Sequence, residues 1–252
     1  MMLTDTESTR PLRPFPAGPY PALRRPEPSA IHELFLSSHS SRDERERFDE
    51  LIIHKVRVAK GAELYHAGGL APHLYFVRAG SFKTMLVSEQ GHSFVTGFSM
   101  SGEAVGLEAI SGERHLCSAA ALEDSEVNLI SCQRLERLAR ELPVLQLNLN
   151  RMLSLELNRS QHMLITLGHR NAEERLAIFV LGLSRRFALR GYSAHGFLLR
   201  MSREDIASAI GVRSETICRA IARLRALRLM TFEGRSVEII DLARLEAFCQ
   251  RG

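Results

Sequence analysis

Two residues four positions apart carry the most specific chemistry in this chain. Glu215 and Arg219 project from one side of any helix that spans them. A guanidinium matches the O6 and N7 acceptors of guanine, and a carboxylate accepts from the N4 amino group of cytosine. One G·C pair can therefore satisfy both. Cys218 falls on the same side and completes a candidate base-reading set. Ser202, Arg203, Arg213, Ser214, Thr216 and Arg223 surround it as candidate phosphate contacts. An isolated Glu/Arg pair is more often an ion pair on a solvated helix, worth about a few tenths of a kcal/mol. The surrounding sequence decides between the two.

That sequence runs from Met201 to Leu229 and predicts two short helices joined by a glycine turn. Ser202 with Asp205 three residues on forms a capping pattern, and Ile206, Ala207 and Ile210 give the first helix one apolar face. Gly211 falls where the chain must turn tightly, a place for positive φ. The second helix spans about 214 to 227. Ile217, Ile221, Leu224 and Leu227 form its buried side, leaving Glu215, Cys218, Arg219, Ala222 and Arg223 outward. A helix pair of this kind presents its second helix to a DNA major groove.

Charge placement agrees. The 252-residue chain has a net charge of only +4. Residues 169–252 hold 15 arginines, no lysine and nine carboxylates, a net +6, while residues 1–168 are slightly acidic. The positive excess sits in the half that carries the helix pair, as binding to phosphates requires. The four cysteines, Cys117, Cys132, Cys218 and Cys249, lack CxxC spacing, which argues against zinc ribbons and thioredoxin-type chemistry. No apolar run approaches the ~18 residues of a membrane span, and no hydrophobic signal core opens the chain. The expectation is a cytoplasmic protein with free thiols and no membrane partner.

Residues 1–30 carry seven of the nine prolines and read as a tail without fixed structure. Residues 41–53 read as a helix opened by a Ser41/Glu44 capping box. From about 56 to 130, short β-rich runs (74–77, 82–87, 94–98) alternate with glycines, which predicts a barrel or double-sheet roll. Pro143 marks the start of a long helix. Along it Leu149, Asn150, Leu153, Leu157, Ser160, Leu164 and Leu167 form a seam that calls for a partner helix. Leu149, with Met152 and Met163, also widens the apolar side toward the roll. Asn171 with Glu174 caps the next helix, and Gly191 ends it. The turn Glu233–Ser236 between two β-rich runs predicts a hairpin, in the position of a wing, and a last helix spans about 242 to 248. The domains read as tail 1–30, roll 31–142, long helix 143–168 and winged helix-turn-helix 169–252.

The order of these parts resembles the CRP/FNR family of bacterial transcription regulators, over about residues 31 to 248. The resemblance rests on NAEERLAIFVLGLSRRFALRGYS (171–193) and on the pattern R-x-D-I-A-x-x-x-G-x-x-x-E-T-x-x-R from Arg203 to Arg219. KGAELYHAGG (60–69) and LYFVRAGSFK (74–83) add to it. It implies an α+β chain with an N-terminal β-roll of the cyclic-nucleotide-binding type, a long dimerisation helix and a C-terminal winged helix-turn-helix. It also implies a homodimer on a palindromic double-stranded DNA site that recruits or blocks RNA polymerase. Glu215 and Arg219 match the family's G·C-reading pair, while Cys218 stands where the FNR branch has serine. A TTGAT-type half-site is expected at its G·C pair. Residues 187–197 fall where the branch has a polymerase contact.

The chain departs from its resemblance in effector chemistry. The four cluster cysteines of the FNR branch correspond to Pro26, Ser29, Phe35 and Asn128, and no cysteine precedes Cys117. A [4Fe–4S] cluster needs about four thiolates, so none is expected. The phosphate-binding Arg-Ser of the cyclic-nucleotide branch falls near His115-Leu116 and its ribose-binding Glu near Leu107, although Arg114 is close by. cAMP is not expected. Ser160 replaces an aspartate of the FNR branch whose mutual repulsion across the two-fold lets a cofactor control dimerisation. A dimer that forms without a cluster follows. No cofactor is expected, and three alternatives stand beside this reading. Oxidation of Cys218 can block DNA contact. Haem can be held by His54, His66, His73, His92 or His115, though scattered histidines are mostly surface residues. A metal-dependent cupin enzyme needs clustered His and carboxylate ligands, and the sequence has no His-x-His pair.

Overall fold

The computed structural model describes residues 30–250 apart from 89, 92 and 111. The proline-rich tail up to Ser29, including Pro26, and His92 lie outside the described residues. The chain opens with α1 (Ala30–Phe35) and α2 (Arg42–Asp49), followed by β1 (Ile52–Val58), β2 (Glu63–Tyr65), β3 (His73–Ala79), β4 (Ser81–Val87), β5 (Ser93–Met100) and β6 (Ala104–Val105). A 3₁₀ turn (Leu107–Ile110), β7 (Ser118–Ala121) and β8 (Ser125–Ser131) complete the roll. Then come α3 (Cys132–Glu141), α4 (Pro143–His169), α5 (Ala172–Leu189), β9 (Gly196–Leu198), α6 (Arg203–Ala209), α7 (Ser214–Ala226), β10 (Met230–Glu233), β11 (Ser236–Ile239) and α8 (Leu242–Gln250).

The roll is two four-stranded antiparallel sheets, ordered β1-β8-β3-β6 and β2-β7-β4-β5. Small and β-branched side chains fill the space between them, including Val58, Val77, Ala119 and Val127 around Phe82. The helix expected over 41–53 is shorter. Its Ser41/Glu44 capping box forms, but the helix ends at Asp49. Ile52 instead pairs with Ile130 on β8, because a β-branched residue gains more in a sheet with a paired neighbour than at a fraying helix end.

Pro143 occupies the first turn of α4, a helix of 27 residues, where its missing N–H costs nothing. The first half of α4 covers the roll: Leu145, Leu149 and Met152 join a core with Phe35, Phe48, Leu74 and Ile130. Asn148 Nδ2 ties this half to the end of α1 by donating to Phe35 O at 3.2 Å and to Leu36 O, just past the helix, at 2.8 Å. Past Met152 the helix emerges, with Leu153, Leu157, Leu164 and Ile165 exposed. Among the described residues, no helix is long and apolar enough to cross a membrane.

Candidate nucleic-acid interface

The helix pair forms as its residues require. Ser202 caps α6: its Oγ accepts from Asp205 N at 3.0 Å, and Asp205 Oδ2 accepts in turn from Ser202 N at 2.9 Å. Gly211 adopts φ +65°, a conformation L side chains rarely take, and a Cβ there would stand 2.8 Å from Leu167 Cδ2, so a side chain at this turn is strained. Ile217, Ile221 and Leu224 are buried with Ile206, Ala207 and Ile210. Ala220, which the apolar periodicity did not include, is buried too.

The opposite face of α7 is open. Glu215, Cys218, Arg219, Ala222 and Arg223 are all exposed. Arg219 Nη2 donates to Thr216 Oγ1 at 3.4 Å, a long bond that leaves most of the guanidinium fork free. Arg213, the N-cap of α7, makes no side-chain cap bond. The first-turn amides of this 13-residue helix therefore take no bond from the N-cap side chain, and with the helix dipole they favour an anion. Arg203, Arg213, Ser214 and Arg223 are exposed and Thr216 is half-buried. Ser202 differs from expectation as a phosphate contact. It is half-buried and its hydroxyl hydrogen is directed to Asp205 Oδ2 at 2.9 Å, so the cap has already used it.

The wing is a three-stranded sheet rather than a plain hairpin. β10 and β11 pair with Glu233 opposite Ser236, and β9 adds to the outer edge of β11. A three-residue strand such as β9 has too little pattern to be read from sequence. The two-residue turn is Gly234-Arg235, with Gly234 at φ +61°. Arg235 is exposed, and with Arg203 it borders a crevice between α6, α7 and the wing. Arg235 is thus a further exposed arginine beside the helix pair, one not among the phosphate contacts expected from the sequence. Its signal was present: an arginine at the tip of a hairpin that follows a recognition helix.

The expected dimer seam needs correction at Leu149. Leu149 is 5% exposed and packed in the protomer's own core, so it cannot reach a partner helix. Leu167 is half-buried and its Cδ2 lies against Gly211. Asn150, Leu153, Leu157, Ser160 and Leu164 are exposed along α4. Ser160 Oγ donates to Glu156 O at 3.0 Å within the helix, so it presents no charge to a neighbouring helix.

In the 187–197 segment, Phe187 stacks on Phe197 with ring centroids 4.9 Å apart, and Arg190 is 6% exposed. Ser184 Oγ pins the loop by donating to Ala194 O at 2.6 Å. Its exposed side chains are Tyr192, Ser193 and His195.

The positions that correspond to a cyclic-nucleotide cassette are His115, Leu116 and Leu107. His115 is 2% exposed, stacks on Tyr65 at 3.7 Å between ring centroids, and faces Glu108 Oε1 from Nδ1 at 3.1 Å. Burial, with Glu108 and Cys117 nearby, pushes the Tyr65 hydroxyl far above its ordinary range, so it remains a neutral donor. Leu116 is exposed and Leu107 half-buried. Arg114 Nη1 is tied to Gly68 O at 2.6 Å on the outside. Phe35 and Asn128, two of the cluster-equivalent positions, are buried and carry no metal-ligating atom of thiolate type. Of the other roll histidines, His54 and His66 are exposed and His73 is half-buried. Among the described residues no group of three or more His, Cys, Asp or Glu is placed to hold a metal ion.

Known proteins match this arrangement. Residues 174–248 match the Crp-like helix-turn-helix domain, and residues 55–141 match the cyclic nucleotide-binding domain. The transcriptional regulatory protein btr of Bordetella pertussis is 42% identical over 204 residues, 81% of this chain and 84% of that protein. The fumarate and nitrate reduction regulatory protein of Escherichia coli K12 is 36% identical over 210 residues, 83% and 84% of the respective chains. FixK2 from Bradyrhizobium japonicum superposes with a TM-score of 0.71 at 28% identity, covering 77% of this chain and 96% of its own. These relatives are regulators rather than enzymes, which removes the cupin alternative. The sequence patterns, the fold and the relatives together place the chain in the CRP/FNR family of DNA-binding transcription regulators.

Proposed function

We propose that two copies of this chain bind a palindromic operator, each reading one half-site with Glu215, Cys218 and Arg219, and that no iron–sulfur cluster, cyclic nucleotide or haem is required. The observation that carries this reading is the α7 face: its base-matching side chains are exposed, and so are Arg203, Arg213, Arg223 and Arg235 of the same winged helix-turn-helix. Phosphate contacts from these arginines position the helix, and Arg219 with Glu215 specifies a G·C pair. The exposed leucines of α4 support pairing with a second copy. Such a pair puts two recognition helices on one face of the duplex, about 34 Å apart.

Ser160 removes charge repulsion from that seam, and His115, near the position of the phosphate-binding arginine in the cyclic-nucleotide branch, is buried against Tyr65. Both support a regulator whose dimer needs no cofactor. The exposed loop of Tyr192, Ser193 and His195 is the surface we assign to RNA polymerase. A regulator of this kind works in the cytoplasm. The test is binding of purified, metal-stripped protein to a duplex carrying an inverted TTGAT-type repeat. Tight binding at a protein concentration where sedimentation gives a dimer supports the proposal; a persistent monomer overturns it.

One observation favours thiol gating as a second reading. Burial pushes the thiols of Cys117 and Cys132 up to about 11 and that of Cys249 up to about 12. Cys218 is exposed, and on the reading face. Peroxide would convert its thiol to a sulfenic acid with release of water, placing a new polar group against the bases. If so, peroxide abolishes operator binding by the wild type and spares Cys218→Ser; equal retention by both excludes it.

A further inference from the structure

Glu103 lies in the turn between β5 and β6 and is only 4% exposed. An ionised carboxylate is stable in such a place only where charged donors replace water. Here they come from another domain. Arg186 of α5 grips both carboxylate oxygens, with Nε donating to Oε1 at 3.0 Å and Nη2 donating to Oε2. Arg190 Nη2 donates to Oε1 at 2.6 Å, and Met100 N donates to Oε2 at 3.0 Å. The same arginines also bind roll carbonyls: Arg186 Nη2 donates to Phe98 O at 2.7 Å and Arg190 Nε donates to Ser101 O at 2.8 Å. Burial alone would push the Glu103 carboxyl up. The guanidiniums of Arg186 and Arg190, with Arg159 of α4 adding to them, override it and hold it down at about 2. One roll carboxylate thus gathers two arginines of the DNA-binding unit in the field of a third on the long helix.

A second joint lies nearer the DNA. Lys83 Nζ of β4 donates to Asp205 Oδ1 at 2.6 Å, and Asp205 is the capping carboxylate of α6. Beside it the backbone N–H of Val95 donates to Ser208 Oγ at 2.9 Å, and Phe98 meets Phe179 edge-on at 5.7 Å between centroids. Neither joint covers the reading face, since Glu215, Cys218 and Arg219 remain exposed. Lys83 also neutralises a carboxylate in a unit that must approach phosphates.

We propose that Glu103 is a positioning residue for operator binding: with Lys83 it clamps the winged helix-turn-helix to its own roll in an orientation set by the protein's own charges. This rests on the two-half-site reading above. Two reading heads held rigidly meet two half-sites at little further entropic cost, whereas loose heads lower the effective concentration of the second at its site. A single half-site, or random DNA, requires no such alignment.

The test uses full-length Glu103→Gln and Lys83→Met. Three affinities are measured, for an inverted repeat, an isolated half-site and a random duplex, together with hydrogen exchange of the Val95 amide. Glu103→Gln should weaken the inverted repeat about tenfold or more, leave the other two duplexes within about twofold, and speed Val95 exchange. Lys83→Met should move all four readings in the same direction, less far. Equal losses on all three duplexes would reduce Glu103 to a structural role and overturn the proposal. So would an unchanged or tightened inverted-repeat affinity. If Glu103→Gln does not fold, Lys83→Met is judged by the same criteria. Wild-type protein that prefers no inverted repeat over a half-site overturns the two-half-site reading and this clamp with it. A wild-type preference that survives in both variants overturns the clamp alone.

Discussion

At the residue scale, the side chains that specify are distinct from those that position. Arg219→Ala removes a bidentate contact to guanine and should cost about 1–3 kcal/mol on the operator while relaxing preference at that G·C pair. Arg203→Ala or Arg213→Ala should instead weaken every sequence alike and reduce the steepness of the salt dependence by about one charge. Titrations against cognate and point-mutated duplexes at several salt concentrations distinguish the patterns, and a reversed pattern would mean the helix is rotated. Gly211→Ala tests the turn. Its φ of +65° and the 2.8 Å approach to Leu167 Cδ2 should destabilise the protein by at least about 1 kcal/mol, read as a lower thermal midpoint. These residues were legible because their signals are local. Ser202 and Asp205 are three apart, Gly211 sits at a turn, and Glu215 with Arg219 are one helical turn apart.

At the element scale, α4 does two jobs along its length. Leu149 and Leu157 are the same residue type on one helix, yet the first is buried in the protomer and the second is 59% exposed. Leu149→Ala should therefore cost about 2–5 kcal/mol of protomer stability by leaving a cavity. Leu157→Glu should leave the roll's melting unchanged while sedimentation shifts from dimer to monomer. Equal effects on melting and mass would show that α4 is not divided this way. Sequence periodicity marks both leucines as apolar, but it cannot say which covering surface each meets. That depends on where the roll ends, and the roll's sheets are built from pairings such as Phe82 with Ala121, far apart in the chain. The over-long helix expected at 41–53 and the unforeseen β9 have the same origin. Short β segments are decided by distant partners, not by their own pattern.

At the scale of the whole molecule, the joint between roll and reading unit is the feature least visible in sequence. Glu103 meets Arg186 and Arg190 across 83 and 87 residues, and no local spacing announces that. Its behaviour with pH follows from sign. The folded carboxyl titrates at about 2, below the ordinary value of 4.5, so its contribution to stability is full above the unfolded value and is lost as pH falls through the folded one. The stability difference between wild type and Glu103→Gln should stay level from pH 8 to about 5 and shrink between about 4.5 and 2. Chemical denaturation at a series of pH values reads this, and a difference that fades already above pH 6 would contradict it.

The central claim is a cofactor-free pair of reading heads on a symmetric site. The most direct measurement is footprinting of metal-stripped, reduced protein on a duplex with an inverted repeat and on the same duplex with one half-site scrambled. Two symmetric protected patches about one helical turn apart are expected on the intact site, both fading when either half is scrambled. Protection of one half that is indifferent to the other, or none until a metal, haem or nucleotide is added, would contradict it.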